Sequence, residues 1–210
     1  MRTCNCIGIL LAGGRARRMG GGDKALRQLG GIPLLAHAIA ALRPQSEGLV
    51  LSANGDLARF AGFDVPVVAD DVPGFMGPLA GVLAGLDWIA ARRPDVALAI
   101  SVPADTPFLP ADLAARLIDA RAKDKALIAC ACSGGRTHQA IAVWPVAIRC
   151  DLRHALVVED MRKVDGFLQN YSRAIAEWPI EPYDPFFNIN DPSDLAAAET
   201  TLSQRDNRLA

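Results

Sequence analysis

Residues 10–26 read LLAGGRARRMGGGDKAL, a short apolar run followed by five glycines, three arginines and one lysine. Glycines let backbone N–H groups come close to a ligand, while arginine and lysine supply positive charge, so the pattern suits an anion of the phosphate type. Lysine is scarce in this chain, and Lys24 is the only one before position 100. Two common phosphate loops do not fit. A P-loop requires G-x-x-x-x-G-K-[ST], whereas Lys24 follows Asp23 and precedes Ala25. A dinucleotide fingerprint can be placed on Gly20, Gly22 and Ala25, but its turn should follow the strand at once, and these glycines begin nine residues after Leu11. What remains is a long cradle. Ala12, Gly13 and Gly14 admit the phosphates of a nucleotide, and Arg18 and Lys24 neutralise them. A solvated surface loop is the bland alternative, and it rarely carries this much charge directly after a core strand.

Such a loop needs elements to hold it. Apolar runs of strand length recur at 4–11, 48–53, 65–69, 96–102, 126–132, 139–144 and 173–178. Between them, 34–42, 79–92 and 110–122 read as helices; Leu79, Val82, Leu83, Leu86 and either Ile89 or Ala90 follow the spacing of one buried helical face. Pro110, Ala111 and Asp112 form a helix opening of the expected kind. Strands alternating with helices predict an α/β fold, a three-layer α/β/α arrangement with a mostly parallel sheet. Ligands in open sheets of this type lie beyond the carboxyl ends of the strands, so the loops after Leu11, Ala53, Ala69 and Val102 should share one crevice. The expected organisation is a single domain over 1–203, with 204–210 a polar tail.

Bulk properties narrow the functional classes. The chain has 210 residues with 22 basic and 23 acidic side chains, enough length for a full core and no net field that argues for nucleic acid or a membrane surface. Any phosphate binding must therefore be local. The five cysteines, Cys4, Cys6, Cys130, Cys132 and Cys150, include no zinc-type ladder. Two C-x-C pairs could form a four-thiolate site if their strands were neighbours; otherwise they are small core hydrophobes. The first apolar stretch is too short and too interrupted by Gly8 for a secretory signal, and no run reaches the roughly 18 residues of a membrane span. A cytoplasmic location is the expectation.

The loop resembles the signature L-A-G-G-x-x-x-R-M-G-x-x-D-K of the molybdenum cofactor guanylyltransferases, within the nucleotidyltransferase superfamily. Further pieces agree in order: GIPLL, VVAD, GPLAGVLAGL, VPADTPFLP and NINDPSDL. The D-K ending and GPLAG are the more specific of these. The resemblance implies a Rossmann-like nucleotidyltransferase fold and transfer of GMP from Mg-GTP to the terminal phosphate of molybdopterin carrying molybdenum, with release of pyrophosphate. It also implies transient contact with molybdopterin-supplying proteins and apo-molybdoenzymes; the balanced charge and the lack of a membrane-length run predict no nucleic-acid or membrane partner.

That chemistry brings anions together, so the site must neutralise charge and hold the acceptor in line. The resemblance implies catalytic roles for Arg18, Lys24 and Asp105, and nucleotide contacts from Leu11, Ala12, Gly13, Lys24, Asn54, Asp70 and Asp105. Magnesium prefers oxygen ligands, and Asp105 follows the strand at 96–102 in the crevice position, flanked by Pro103 and Pro107. Guanine presents a donor pair that a carboxylate accepts with both oxygens; the resemblance, through the distance to GPLAG, implies Asp70 as that base selector, with Asp71 its ambiguous neighbour. Asn188 and Asn190 are implied on the pterin side. Arg136 and His138 are candidate acceptor contacts, although the preceding glycine pair equally suits a plain hairpin. Asp191 suits a helix cap. Two rivals stay open: a cytidylyl- or sugar-phosphate nucleotidyltransferase, which would change the base and acceptor pockets, and a non-catalytic carrier of molybdenum cofactor, which should have lost Lys24 or Asp105.

Overall fold

The computed structural model describes residues 4–13, 23–72 and 77–209, with side chains as far as 205. In chain order the elements are β1 (Cys4–Leu11), β2 (Gln28–Leu29), β3 (Ile32–Pro33), α1 (Leu34–Leu42), β4 (Ser46–Ser52) and β5 (Val67–Val68). There follow α2 (Pro78–Arg92), β6 (Leu98–Pro103), α3 (Leu113–Lys123), β7 (Ile128–Ser133) and β8 (Arg136–Pro145). The last are α4 (Arg149–Val157), α5 (Val164–Leu168), β9 (Arg173–Trp178) and α6 (Pro192–Leu209).

Seven strands form one sheet in the order β5-β4-β1-β6-β8-β7-β9. The run β5-β4-β1-β6 is parallel, β8 lies antiparallel to both β6 and β7, and β9 pairs parallel with β7. The pleat sends alternate residues to opposite faces, and each face has its own core. Cys6 and Leu10 of β1 pack with α1 and α3 on one side; Ile7 and Ile9 pack with α2, α4 and α5 on the other. This is the three-layer arrangement, and it explains why β1 is apolar from Cys6 to Leu11. Helix α2 comes unusually close to the sheet: a Cβ added at Gly85 would lie 2.7 Å from three carbons of Ile9, itself fully buried. Gly85→Ala gains roughly 1 kcal/mol of helix propensity against overpacking of about 1–3 kcal/mol. We expect the variant to melt below the parent, and a melting temperature at or above it would refute the close-packing explanation.

The structure departs from the sequence reading in several places. The helix expected from Pro110 begins at Leu113, because the Asp112 side chain makes no cap bond and accepts the Trp178 indole N–H at 2.9 Å instead. Pro110 stays in the preceding turn, its carbonyl taking Gln45 Nε2 at 2.9 Å. The strand expected at 139–144 starts at Arg136, and its antiparallel direction is set by a two-residue turn. Gly134 and Gly135 have φ of +54° and +74°, the backbone twist that favours glycine and closes a hairpin. The segment 204–210, expected as a polar tail, is helical as far as Leu209. Helices α4 and α5 had no counterpart in the sequence reading.

Cys6, Cys130 and Cys132 are core residues, whereas Cys4 is half-buried and Cys150 is exposed. Strands β1 and β7 are separated by β6 and β8, so no four-thiolate site forms, and no cluster of metal-ligand type exists among the described residues. Burial pushes the Cys6 thiol up to about 12 and that of Cys130 to about 11. No described helix is long and apolar enough to cross a membrane.

Candidate active site

The carboxyl ends of β1, β4, β5 and β6 open onto a cavity of about 330 Å³. Its lining includes Leu11 and Gly13 after β1, Ser52, Ala53 and Asn54 at the end of β4, Asp70 after β5, and Pro103 and Asp105 after β6. The first turn of α2 adds Gly77, Pro78 and Gly81, bringing the positive end of a helix dipole to the wall; Ala140 and Asn188 complete it. Thus the four loops expected to share a crevice do share one.

On the β6 side, four residues distant in sequence meet. Lys24 opens a 3-10 turn, Lys24–Leu26, whose start is capped by Asp23 accepting from the Ala25 N–H at 3.2 Å. Lys24 is 8% exposed; its ammonium forms an ion pair with Asp105 Oδ2 and donates to Asn188 Oδ1 at 3.1 Å and Asn190 Oδ1 at 2.8 Å. The remaining oxygen of Asp105, Oδ1, is buried without a hydrogen-bond partner. Burial raises the pKa of this carboxyl, and the Lys24 charge beside it works in the opposite direction. An incompletely satisfied buried carboxylate is costly, and one lining a cavity marks a place for a ligand.

On the β5 side, Asn54 and Asp70 face each other. The Asn54 amide donates to Asp70 Oδ2 at 2.5 Å, and the Asp70 N–H returns a bond to Asn54 Oδ1 at 3.2 Å. The two neighbouring aspartates have different fates: Asp70 lines the cavity, whereas Asp71 pairs with Arg153 at 3.1 Å on the surface. With strands about 4.8 Å apart, the Asp70 and Asp105 loops lie three spacings from each other, roughly 14 Å, with β1 and its Gly13 between them.

The profile of the MobA-like NTP transferase domain matches residues 8–174. A curated relative from Rhodopseudomonas palustris strain BisB5, named molybdenum cofactor guanylyltransferase, is 59% identical over 200 residues, 95% of each chain. The chain belongs to the molybdenum cofactor guanylyltransferase family. Among solved structures, the molybdopterin-guanine dinucleotide biosynthesis protein A of Archaeoglobus fulgidus superposes with a TM-score of 0.73 at 20% identity, covering 94% of this chain and 99% of that one. A Mycobacterium tuberculosis protein, Rv0371C, solved as a complex with manganese, gives 0.67 at 14% identity, covering 93% and 98%. At those identities the two structures establish the fold, which this guanylyltransferase shares.

Of the residues singled out in the sequence, Leu11, Gly13, Asn54, Asp70, Asp105 and Asn188 line the cavity. Ala12 lies beneath it, its N–H bonded to the Ser52 carbonyl, and Lys24 and Asn190 join through Asp105 and Asn188. Arg18 lies outside the described residues. Arg136 and His138 do not line the cavity. His138 shares a hydrogen bond of 2.8 Å with Ser133 Oγ, which also donates to Asp184 at 2.7 Å, and its ring packs on Phe186. Burial lowers its pKa against the opposing pull of Asp184, so the imidazole is neutral at pH 7 and ties β7, β8 and the 184–186 loop together. Asp191 accepts from the N–H groups of Ser193 and Asp194, capping α6.

Two residues next to those of the cavity escaped the sequence reading. Arg59 binds Asp23 through Nε at 2.5 Å and the Asn54 carbonyl through Nη2 at 2.7 Å, so one guanidinium joins the Lys24 turn to the Asn54 loop. No spacing links position 59 to 23, and only the fold brings them together. Thr106, whose buried hydroxyl has no partner, was legible only as part of a proline-rich turn.

Proposed function

We propose that this guanylyltransferase binds GTP with its base toward Asn54 and Asp70 and its phosphates toward Lys24 and Asp105, and transfers GMP to the terminal phosphate of molybdenum-bound molybdopterin. An acceptor oxygen forms a bond to the α-phosphorus while the bond to the pyrophosphate oxygen breaks. The observation that carries this reading is the single cavity holding a carboxylate–amide pair on one side and a cation–carboxylate pair on the other, at a separation suited to a nucleotide. Backbone at Gly13 and the first turn of α2 flank the path between them, where close approach and the helix dipole favour phosphate. The acceptor is already ionised at neutral pH, so the site has to position it and needs no general base. Asn188 and Asn190 are the residues assigned to the acceptor side.

The oxygens gathered around Lys24 also suit a hard divalent cation. The Asp105 carboxylate, with Oδ1 unpartnered, and the amide oxygens of Asn188 and Asn190 form an oxygen-only donor set of the kind magnesium takes. Bound there, magnesium would offset charge on the phosphates and the departing pyrophosphate.

Purified protein with Mg²⁺, molybdenum-loaded molybdopterin and either GTP, CTP or ATP tests the reading through pyrophosphate release and product mass. We expect a GMP adduct with GTP alone. A CMP adduct would overturn the base assignment; no adduct, under conditions where a curated guanylyltransferase works, would overturn the activity. The base assignment makes its own prediction. Asp70→Asn loses two charge-assisted acceptors for guanine, together worth about 3 kcal/mol, so the preference for GTP over ATP in kcat/KM should fall roughly 10²-fold. Unaltered selectivity would move the base pocket elsewhere.

A further inference from the structure

An ammonium has three N–H donors, and all three of Lys24 are spent on Asp105 Oδ2, Asn188 Oδ1 and Asn190 Oδ1. Lys24 therefore cannot donate to a phosphate from its present position without giving up part of this oxygen cage. If it leaves, Asp105 remains buried with neither oxygen balanced by charge, an arrangement relieved either by a proton or by a second cation, and the two amide oxygens left beside it suit the cation. We infer that Lys24 and the divalent metal are alternative occupants of one cage, so that Lys24 holds the carboxylate until nucleotide draws it out and metal replaces it. This rests on the function proposed above and adds to it a coupling. Phosphates that extract Lys24 open the cage to metal, metal that enters it frees Lys24 for the phosphates, and the two ligands favour each other by the same factor in both directions. Without nucleotide the guanylyltransferase is a poor metal binder even though its donor set is assembled.

Manganese provides the probe, because the spectrum of free Mn²⁺ reports binding with no turnover. Without nucleotide, Lys24→Met should bind Mn²⁺ about tenfold more tightly than the parent or better, within the range of site-to-site coupling, and Lys24→Met/Asp105→Asn should lose that gain. Equal affinity in the parent and Lys24→Met would overturn the exchange. A second measurement uses the unaltered protein, in case Lys24→Met does not melt cooperatively. Acetic anhydride labels lysines at rates readable by mass spectrometry, and Lys123, Lys125 and Lys163 are exposed internal references. Titrating Mn²⁺ should accelerate labelling of Lys24 several-fold and leave the other three unchanged; a constant Lys24 rate across the titration would overturn the exchange. Failure of the underlying reading looks different. Asp105→Asn that still holds Mn²⁺ in the complex with GTP would remove Asp105 as a metal ligand, whereas loss of Mn²⁺ in Asp105→Asn with no gain in Lys24→Met would remove the exchange alone.

Discussion

Asp105→Asn should lower kcat for GMP transfer by at least about 10³-fold, the scale expected when a preorganised electrostatic group at a developing charge is removed. Asparagine keeps the shape of the side chain and removes its charge, so the loss reports chemistry and not a hole in the core. The carboxylate carries more than one duty here: it is the charged partner of Lys24, it leaves one buried oxygen open beside the cavity, and it anchors the β6 side of the lining. Its neighbours do not depend on it to fold, since β6 is held by β1 on one side and β8 on the other. A cooperative melt with transfer lost is the expected pair of results. Retention of more than about a tenth of the parental kcat would exclude Asp105 from the reacting centre, because the loss would then fall below that of a single oxyanion donor.

The second large effect is that of Lys24→Ala. An interaction made only in the transition state lowers kcat and kcat/KM alike, whereas one made equally in the ground state raises KM alone. Lys24 gives up its cage in meeting the phosphates, so what it gains on binding GTP is largely offset by the contacts it leaves, and the net gain is realised as charge builds on the phosphates. We therefore expect single-turnover transfer to slow roughly 10²- to 10³-fold, with the apparent affinity for GTP changed by less than about tenfold. An unchanged transfer rate with unchanged affinity would place Lys24 in the scaffold, and a loss entirely in KM would make it a ground-state GTP contact; either result would overturn the transition-state role.

The sequence disclosed the sheet and one half of the site, and the reason is local. Strands such as β1, from Cys6 to Leu11, are continuously apolar because both faces are covered, and helix α2 repeats its apolar residues at one interval. Those signals survive in any window of ten residues. Residues that follow such strands, Asn54, Asp70 and Asp105, inherit the topological position of the crevice. What stayed hidden depends on partners far away in the chain. Nothing near position 24 announces that its ammonium meets residues 188 and 190, and nothing near 59 announces Asp23. Nor could apolar spacing show that β8 runs against its neighbours, since an antiparallel strand buried on both faces reads like a parallel one; only Gly134 and Gly135 hinted at the reversal. The opening of α3 was misplaced because Asp112 had a competing bond to Trp178, a residue 66 positions away.

The separation between Lys24 and its asparagines also bears on how the protein is made. Asn188 and Asn190 come 164 and 166 positions after the lysine, immediately before α6, which fastens itself to the β2–β3 turn through Glu199 and the Gly30 N–H. Every strand of the sheet ends by Trp178. At translation rates of about 5–20 residues per second, a nascent chain displays the lysine roughly 8–33 s before the ribosome reaches the asparagines. A chain stalled or clipped near position 180 has all the material for its sheet, yet its lysine and aspartate face each other without the two amides that complete their surroundings. The guanylyltransferase thus completes its sheet only ten residues before Asn188 is made, and its active centre is among the last segments to emerge.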